Sequence, residues 1–221
     1  MMRPMDKVSF REKLGYGLGD MASSMFWKIF GMYLLFFYTK VFGISPAAAG
    51  TMFLLTRIWD AVNDPIMGLI ADRTHTRCSK YRPYILWGAI PFALIGIMTF
   101  YTPCWGENAK LAYAYVTYTF MMMVYTVVNV PYASLLGVIS PLPKDRNTLS
   151  SYRMFFAYVG SFITFMIFQP LVDTFSSVKQ VGEQISTEPQ AWTAAVAVIG
   201  GLCALLFFLC FRWTKERVVA A

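Results

Sequence analysis

Six stretches of roughly 20 mainly apolar residues run along this chain, and each is long enough to cross the hydrocarbon core of a bilayer as a helix. They cover approximately residues 15–39, 47–71, 84–102, 111–140, 153–175 and 191–212. With 57% hydrophobic and 14% charged residues, the chain has too little polar surface for a water-soluble protein. We therefore predict an all-α, polytopic membrane protein in which residues 1–221 form a single six-helix domain in a lipid bilayer.

The distribution of basic residues predicts the orientation of these spans. Most of the 19 Lys and Arg residues lie before residue 15, between 72 and 83, between 141 and 152, and after 211. The other gaps between spans contain only three basic residues, Lys40, Lys110 and Lys179. Because Lys and Arg are retained in cytoplasmic loops, we expect both termini to be cytoplasmic. The net charge of +7 then reflects topology, and we expect no nucleic-acid partner.

Residues that support enzyme chemistry are scarce. His75 is the only histidine, and the four cysteines form no CxxC pair. A zinc-binding HExxH motif needs two histidines and cannot be built, and no Ser–His–Asp triad is recognised around His75. We predict that the chain is not an enzyme and has no cofactor and no metal site, apart from a possible Na⁺ site in the second span.

Ionisable residues inside the spans are the strongest functional signal, because each costs about 2.5–3.5 kcal/mol to insert unless it faces a cavity or a partner. Asp60 and Asp64 are four residues apart in the second span, so they share one helical face and repel each other. A Na⁺ ion or a proton would relieve that repulsion. Asn63 and Thr126 could add oxygen ligands. The predicted cation site is therefore Asp60, Asn63, Asp64 and Thr126, and structural salt bridging is the alternative for the charged residues.

A second polar set predicts a substrate site. Asp20, Ser24 and Lys28 form one stripe on the first helix, which indicates a water-filled lumen. Asn129 offers a donor and an acceptor for hydroxyl groups, and Arg153 could clamp them. Several alternatives remain open. Asp20 could neutralise Lys28 or an arginine, Asn129 could join helices, and Arg153 could pair with a carboxylate or anchor at the membrane interface.

Two further patterns concern helix packing and gating. Gly15, Gly17 and Gly19 have no side chains and predict close helix packing on the first span. Asp72, Arg73 and Arg77 follow the second span. They predict either a cytoplasmic gating clasp or topology charge alone.

Several motifs resemble one transporter family. Gly68–Arg77 resembles the G-x-x-x-D-R-x-x-x-R loop of the major facilitator superfamily. More specific are LGYGLGD (14–20), RIWDAVNDPIMG (57–68), KYRPYIL (80–86) and NVPYASL (129–135). Together they resemble the glycoside–pentoside–hexuronide:cation symporter family, which includes melibiose permease, over about residues 11–217.

The resemblance implies cation-coupled symport of a sugar or glycoside across the plasma (inner) membrane. It implies that Asp60 and Asp64 bind Na⁺ or H⁺, with Asn63 and Thr126 nearby, and that Arg153 contacts sugar. The melibiose-type sugar aspartates fall at Ser24 and Asn129, and its aromatic platform falls at Ala133, which implies a different substrate.

The resemblance covers only an N-terminal half, because family members have twelve helices in two halves with the substrate between them. We expect the chain to need a second six-helix half or a homodimer partner, and not to transport as a monomer. Two alternatives are half of a lysolipid or other solute transporter, and a non-transporting membrane assembly subunit.

Overall fold

The computed structural model describes residues 8–73, 80–177 and 185–217, and these ranges contain six long α-helices. Helix α1 (Phe10–Phe36) continues as a π-helix (Phe37–Phe42) and is followed by α2 (Pro46–Arg73), α3 (Arg82–Thr99), α4 (Glu107–Ile139), α5 (Pro143–Phe175) and α6 (Pro189–Trp213). Each predicted apolar stretch falls mainly on one of these helices. Among the described residues there is no strand, so the all-α prediction is confirmed.

Five of these helices, counting α1 with its π-helical end, are long and apolar enough to cross a membrane. Helix α2 has 28 residues, which is sufficient length, but it does not meet this criterion. The reason is its charge, since Arg57, Asp60 and Asp64 all lie in its middle. Among the six described helices, the one that carries the predicted cation site is thus the one that falls outside this criterion.

The fifth helix begins about ten residues earlier than the sequence suggested. The polar stretch before Arg153 was predicted as a loop, but α5 begins at Pro143. Proline suits this position because its φ is already helical and it needs no hydrogen-bond acceptor. The turn from α4 is closed by Ser140, whose hydroxyl donates to Asp145, and by Arg146, which donates to the Ser140 carbonyl at 2.8 Å. The first ten residues of α5 are therefore a polar extension of the helix beyond its apolar part.

Helix α1 lies at the centre of the bundle and packs mainly against α5 and α6. A capping box starts it, in which Ser9 and Glu12 each bind the other's backbone amide. The predicted close packing at the glycines is confirmed. A Cβ atom at Gly19 would lie 2.5 Å from the Tyr132 ring, and one at Gly15 would lie 2.7 Å from Trp213 Cβ.

The remaining helices pack around α1 or against its neighbours. Helix α3 packs against α6 and α4, and α2 packs against α4. Large apolar side chains on α2, α3, α5 and α6 remain uncovered by protein, such as Trp87 and Phe155. A lipid environment accommodates these side chains, and the polar residues of the bundle collect between α1, α2, α4 and α5.

Substituting Gly160 tests the tight contact between α5 and α1. A Cβ atom at Gly160 would lie 2.9 Å from the Met21 carbonyl oxygen, and backbone cannot move aside as a flexible side chain can. We expect Gly160→Ala to lower the free energy of unfolding by about 1–3 kcal/mol. The measurement is SDS titration in mixed micelles followed by circular dichroism.

Gly201→Ala on α6 is the matched control, because nothing lies within 4 Å of the added methyl group. Replacing a helical glycine there should stabilise by up to about 1 kcal/mol. Equal effects at both positions would contradict the proposed role of close α1–α5 packing.

Candidate functional site

A cleft of about 380 Å³ opens between α1, α4 and α5. All five predicted substrate residues line it: Asp20, Ser24, Lys28, Asn129 and Arg153. The other lining residues are Ser23, Trp27, Gly31, Met32, Tyr125 and Ser161, which the sequence analysis did not include in the site. The structure therefore brings the predicted set into one cavity, while their role in binding stays a prediction.

An ion pair forms part of the lining of this cleft. The Arg153 Nε atom on α5 lies 3.3 Å from Asp20 Oδ1 on α1. The same guanidinium lies 5.4 Å from the centre of the Tyr132 ring on α4. Of the alternatives for Asp20, the structure selects an arginine on a neighbouring helix. The charge of Asp20, which is 8% exposed, is thus compensated within the protein.

The amide of Asn129 has unused hydrogen-bonding capacity. Its Nδ2 atom donates to the Tyr125 hydroxyl at 3.2 Å. Its Oδ1 atom is buried and has no hydrogen-bond partner among the described residues. A buried acceptor without a partner is unfavourable, so a ligand hydroxyl that donates to it would bind well.

The predicted cation residues lie where α2 packs against α4. The Thr126 hydroxyl donates to Asp64 Oδ1 at 2.8 Å, so two members of the set are in direct contact. Asp60 Oδ1 and Asn63 Nδ2 are buried without a hydrogen-bond partner among the described residues. Hydroxyl, carboxylate and amide groups are all present, and oxygen is the donor that Na⁺ and other hard cations prefer.

An aromatic contact connects the two polar sets. The Arg57 guanidinium on α2 lies 4.9 Å from the centre of the Trp27 ring, within the range of cation–π attraction. Trp27 in turn stacks on Tyr125, with ring centres 5.3 Å apart. Arg57, Trp27 and Tyr125 were not predicted as site residues, because their contacts join residues of three different helices. The charge of Arg57 inside a span was the available signal.

The predicted gating residues are partly described. Asp72 Oδ1 accepts from the Tyr81 hydroxyl at 2.7 Å and lies 4.0 Å from the Lys80 ammonium. Arg73 ends α2 and is exposed, and Arg77 lies outside the described residues. Burial, together with the bonded Asp72 carboxylate, raises the pKa of Tyr81 to about 12. Its hydroxyl therefore stays protonated at neutral pH and can donate.

Glu216 was not anticipated at this end of the bundle. Its carboxylate accepts the backbone amides of Lys80, Tyr81 and Arg82, each at 2.9 Å. These amides begin α3, where a helix leaves donors unsatisfied and favours negative charge. Nothing in the sequence pairs residues so far apart. The segment after α6 thus fixes the start of α3 beside Asp72.

Neutralising the Asp20–Arg153 pair tests whether it stabilises the bundle. Asp20→Asn alone leaves a partly buried guanidinium without its counter-charge, so we expect a loss of about 1–3 kcal/mol in the free energy of unfolding. The double variant Asp20→Asn with Arg153→Gln should lose less than Asp20→Asn alone. The exposed Asp173→Asn is the control and should stay within about 0.5 kcal/mol of wild type. Additive losses in the double variant would contradict a direct interaction.

Comparison with known proteins identifies the family. A family described as MFS/sugar transport protein matches residues 15–221. The inner membrane symporter YicJ of Escherichia coli K12 is 40% identical over 213 residues, covering 96% of this chain and 45% of YicJ. The isoprimeverose transporter of Lactiplantibacillus pentosus is 39% identical, covering 96% of this chain and 43% of that protein. The glucuronide carrier protein homolog of E. coli K12 is 34% identical over 215 residues.

The chain spans slightly less than half the length of these relatives. Their names describe symporters, transporters and carriers, not enzymes, which agrees with the prediction from the residues. With its apolar helices and these relatives, the protein is a multi-pass membrane protein. It belongs to the MFS/sugar transport protein family and, within it, to the glycoside–pentoside–hexuronide:cation symporters that its motifs resemble.

Proposed function

We propose that this chain is the cation-binding half of a symporter that couples a Na⁺ or H⁺ gradient to the movement of a sugar or glycoside. One observation carries the proposal: five polar residues predicted from sequence to bind substrate line a single cleft. Trp27 in that cleft contacts Arg57, which lies about one helical turn from Asp60 and about two turns from Asp64. The two binding functions that symport requires would therefore lie side by side.

The cation would bind between Asp60 and Asp64. Two carboxylates on one helical face repel, so either a proton on one of them or a Na⁺ between them stabilises the helix. Thr126, already bonded to Asp64, supplies a hydroxyl oxygen, and Asn63 supplies an amide. Bound cation would draw α2 towards α4 and hold Arg57 against Trp27. This ordering of the cleft would favour sugar binding after the cation.

The cleft suits a polyhydroxylated ligand. Asn129 presents an unsatisfied acceptor, while Ser24 and Lys28 present donors. Trp27 and Tyr125 provide aromatic surface beside them. This lining disfavours the lysolipid alternative, because an acyl chain would have to cover the Asp20–Arg153 ion pair.

Transport would follow alternating access between this half and a partner. A second six-helix half, or a second copy of the chain, would close the open side of the cleft. With both termini cytoplasmic, as the basic residues predict, the contacts of Asp72 with Tyr81 and Lys80 would lie on the cytoplasmic side. We propose that making and breaking these Asp72 contacts gates the cleft.

If the chain were only an assembly subunit, substituting Asp60 and Asp64 would not change its function.

Substituting the cation residues tests the coupling site. Removing one of two carboxylates should weaken Na⁺ binding at least tenfold in Asp60→Asn and in Asp64→Asn, a loss of about 1.4 kcal/mol or more. Thr126→Val should weaken it less, because only a neutral ligand is lost, and Thr126→Ser should keep most of the affinity. Calorimetric titration of the purified chain with NaCl, in a choline chloride background, measures this.

Asp173→Asn removes an exposed carboxylate away from the site and serves as the control, with unchanged binding expected. Unchanged Na⁺ affinity in Asp60→Asn and Asp64→Asn would rule out Na⁺ binding at this site. If wild type binds no Na⁺, proton uptake that is lost in the same two variants would identify H⁺ as the coupling ion.

Truncating Asn129 tests the substrate cleft separately. Asn129→Ala removes the unsatisfied acceptor, so we expect glycoside affinity to fall about tenfold, the effect of one good hydrogen bond. Na⁺ binding should fall less than glycoside binding does, because the carboxylates of Asp60 and Asp64 and the hydroxyl of Thr126 all remain in place. Calorimetry with isoprimeverose and with methyl glucuronide measures sugar binding. Asn147→Ala, on the exposed part of α5, is the control. Equal losses in both variants would argue against this cleft.

A further inference from the structure

A second cavity, of about 580 Å³, lies between the start of α1 and the end of α6. Four basic side chains line it: Arg11, Arg212, Lys215 and Arg217. The remaining lining residues are Ser9, Glu12 and Trp213. We propose that this cavity binds the headgroup phosphate of an anionic phospholipid, in the leaflet that adjoins these two helix ends.

The basic charge of the cavity is largely uncompensated within the described part of the chain. Glu12 is bound by Arg217 at 2.8 Å and by the Ser9 amide, so its charge is already used. Glu216, the other acid of the segment, faces the start of α3 instead. Arg11, Arg212 and Lys215 are exposed and have no ion pair with a described residue. A phosphate group would pair with them, and arginine binds phosphate with two parallel hydrogen bonds.

The surface of α6 favours a lipid over a soluble phosphate. Its uncovered apolar residues Val198, Leu202, Leu205 and Phe208 follow one another at intervals of three or four residues, and Arg212 continues the series. They therefore lie on one helical face that leads directly to the basic cavity. Acyl chains could lie along this face while the headgroup reaches Arg212 and Lys215.

Trp213 marks the level of the headgroup in the same cavity. Tryptophan is enriched at membrane interfaces, where its ring is apolar and its N–H is polar. The Arg11 guanidinium lies 5.6 Å from the centre of this ring, which holds the arginine at the cavity entrance. Basic pockets between membrane helices at this level are a recognised way to bind anionic headgroups.

Lipid titration of the purified 221-residue chain by native mass spectrometry tests this proposal. We expect phosphatidylglycerol to bind more tightly than phosphatidylcholine with the same acyl chains. Each basic residue near an anionic surface contributes about a factor of five, so Arg212→Gln with Lys215→Gln should weaken phosphatidylglycerol binding about 25-fold. Lys40→Gln with Lys144→Gln removes the same charge from exposed positions elsewhere and should change binding less than about twofold.

Two further comparisons separate the sources of the phosphate group. Leu205→Gln interrupts the apolar face of α6 and should weaken phosphatidylglycerol binding, whereas Leu94→Gln, equally uncovered on α3, should not. Inorganic phosphate in large excess should fail to displace the lipid. Equal affinity for the two lipids, equal losses in the paired variants, or full displacement by inorganic phosphate would each overturn the proposal.

Discussion

The cost of placing charge inside a membrane determines how this bundle is arranged. Each ionisable side chain at that depth needs a counter-charge, a hydrogen-bond partner or a water-filled cavity. Asp20 pairs with Arg153, Asp64 accepts from Thr126, and Arg57 rests on Trp27. Because these partners come from different helices, they require α1, α2, α4 and α5 to meet along one side. The cleft lies where polar groups such as Asn129 Oδ1 have no hydrogen-bond partner among the described residues.

Close packing on the other sides makes this arrangement possible. The glycines of α1 allow side chains of α4, α5 and α6 to approach its backbone, as Tyr132 does at Gly19. Tyr132 then supports Arg153 through its ring and donates its hydroxyl to the Tyr16 carbonyl. The ring that packs against Gly19 thus also contacts the guanidinium of the Asp20–Arg153 pair. Tight packing on one side and an open cleft on the other suit a unit that moves as a rigid body.

The sequence predicts this structure best where one physical requirement acts alone. Apolar length predicts the helices, and the cost of intramembrane charge predicts three of the five cleft residues, Asp20, Lys28 and Arg153. The prediction is poor where several requirements compete or where the partner is remote. The start of α5 was misplaced because a helix extends beyond its apolar part once Pro143 initiates it. Glu216 and Trp27 acquire their contacts only from the tertiary arrangement, so no local pattern reveals them.

The basic residues of this protein have different roles, which depend on whether an acidic side chain lies beside them. Arg153 lies beside a carboxylate, and Arg217 beside Glu12, so both serve the internal structure. Arg11 at the start of α1, and Arg212 and Lys215 at the end of α6, are exposed and have no ion pair with a described residue. The positive-inside rule explains why such residues stay on one side of the membrane, but not why three of them share a cavity with a tryptophan. Binding of an anionic headgroup accounts for the clustering of the three basic residues in one cavity. The positive charge that keeps these residues on one side of the membrane also binds phosphate at that side.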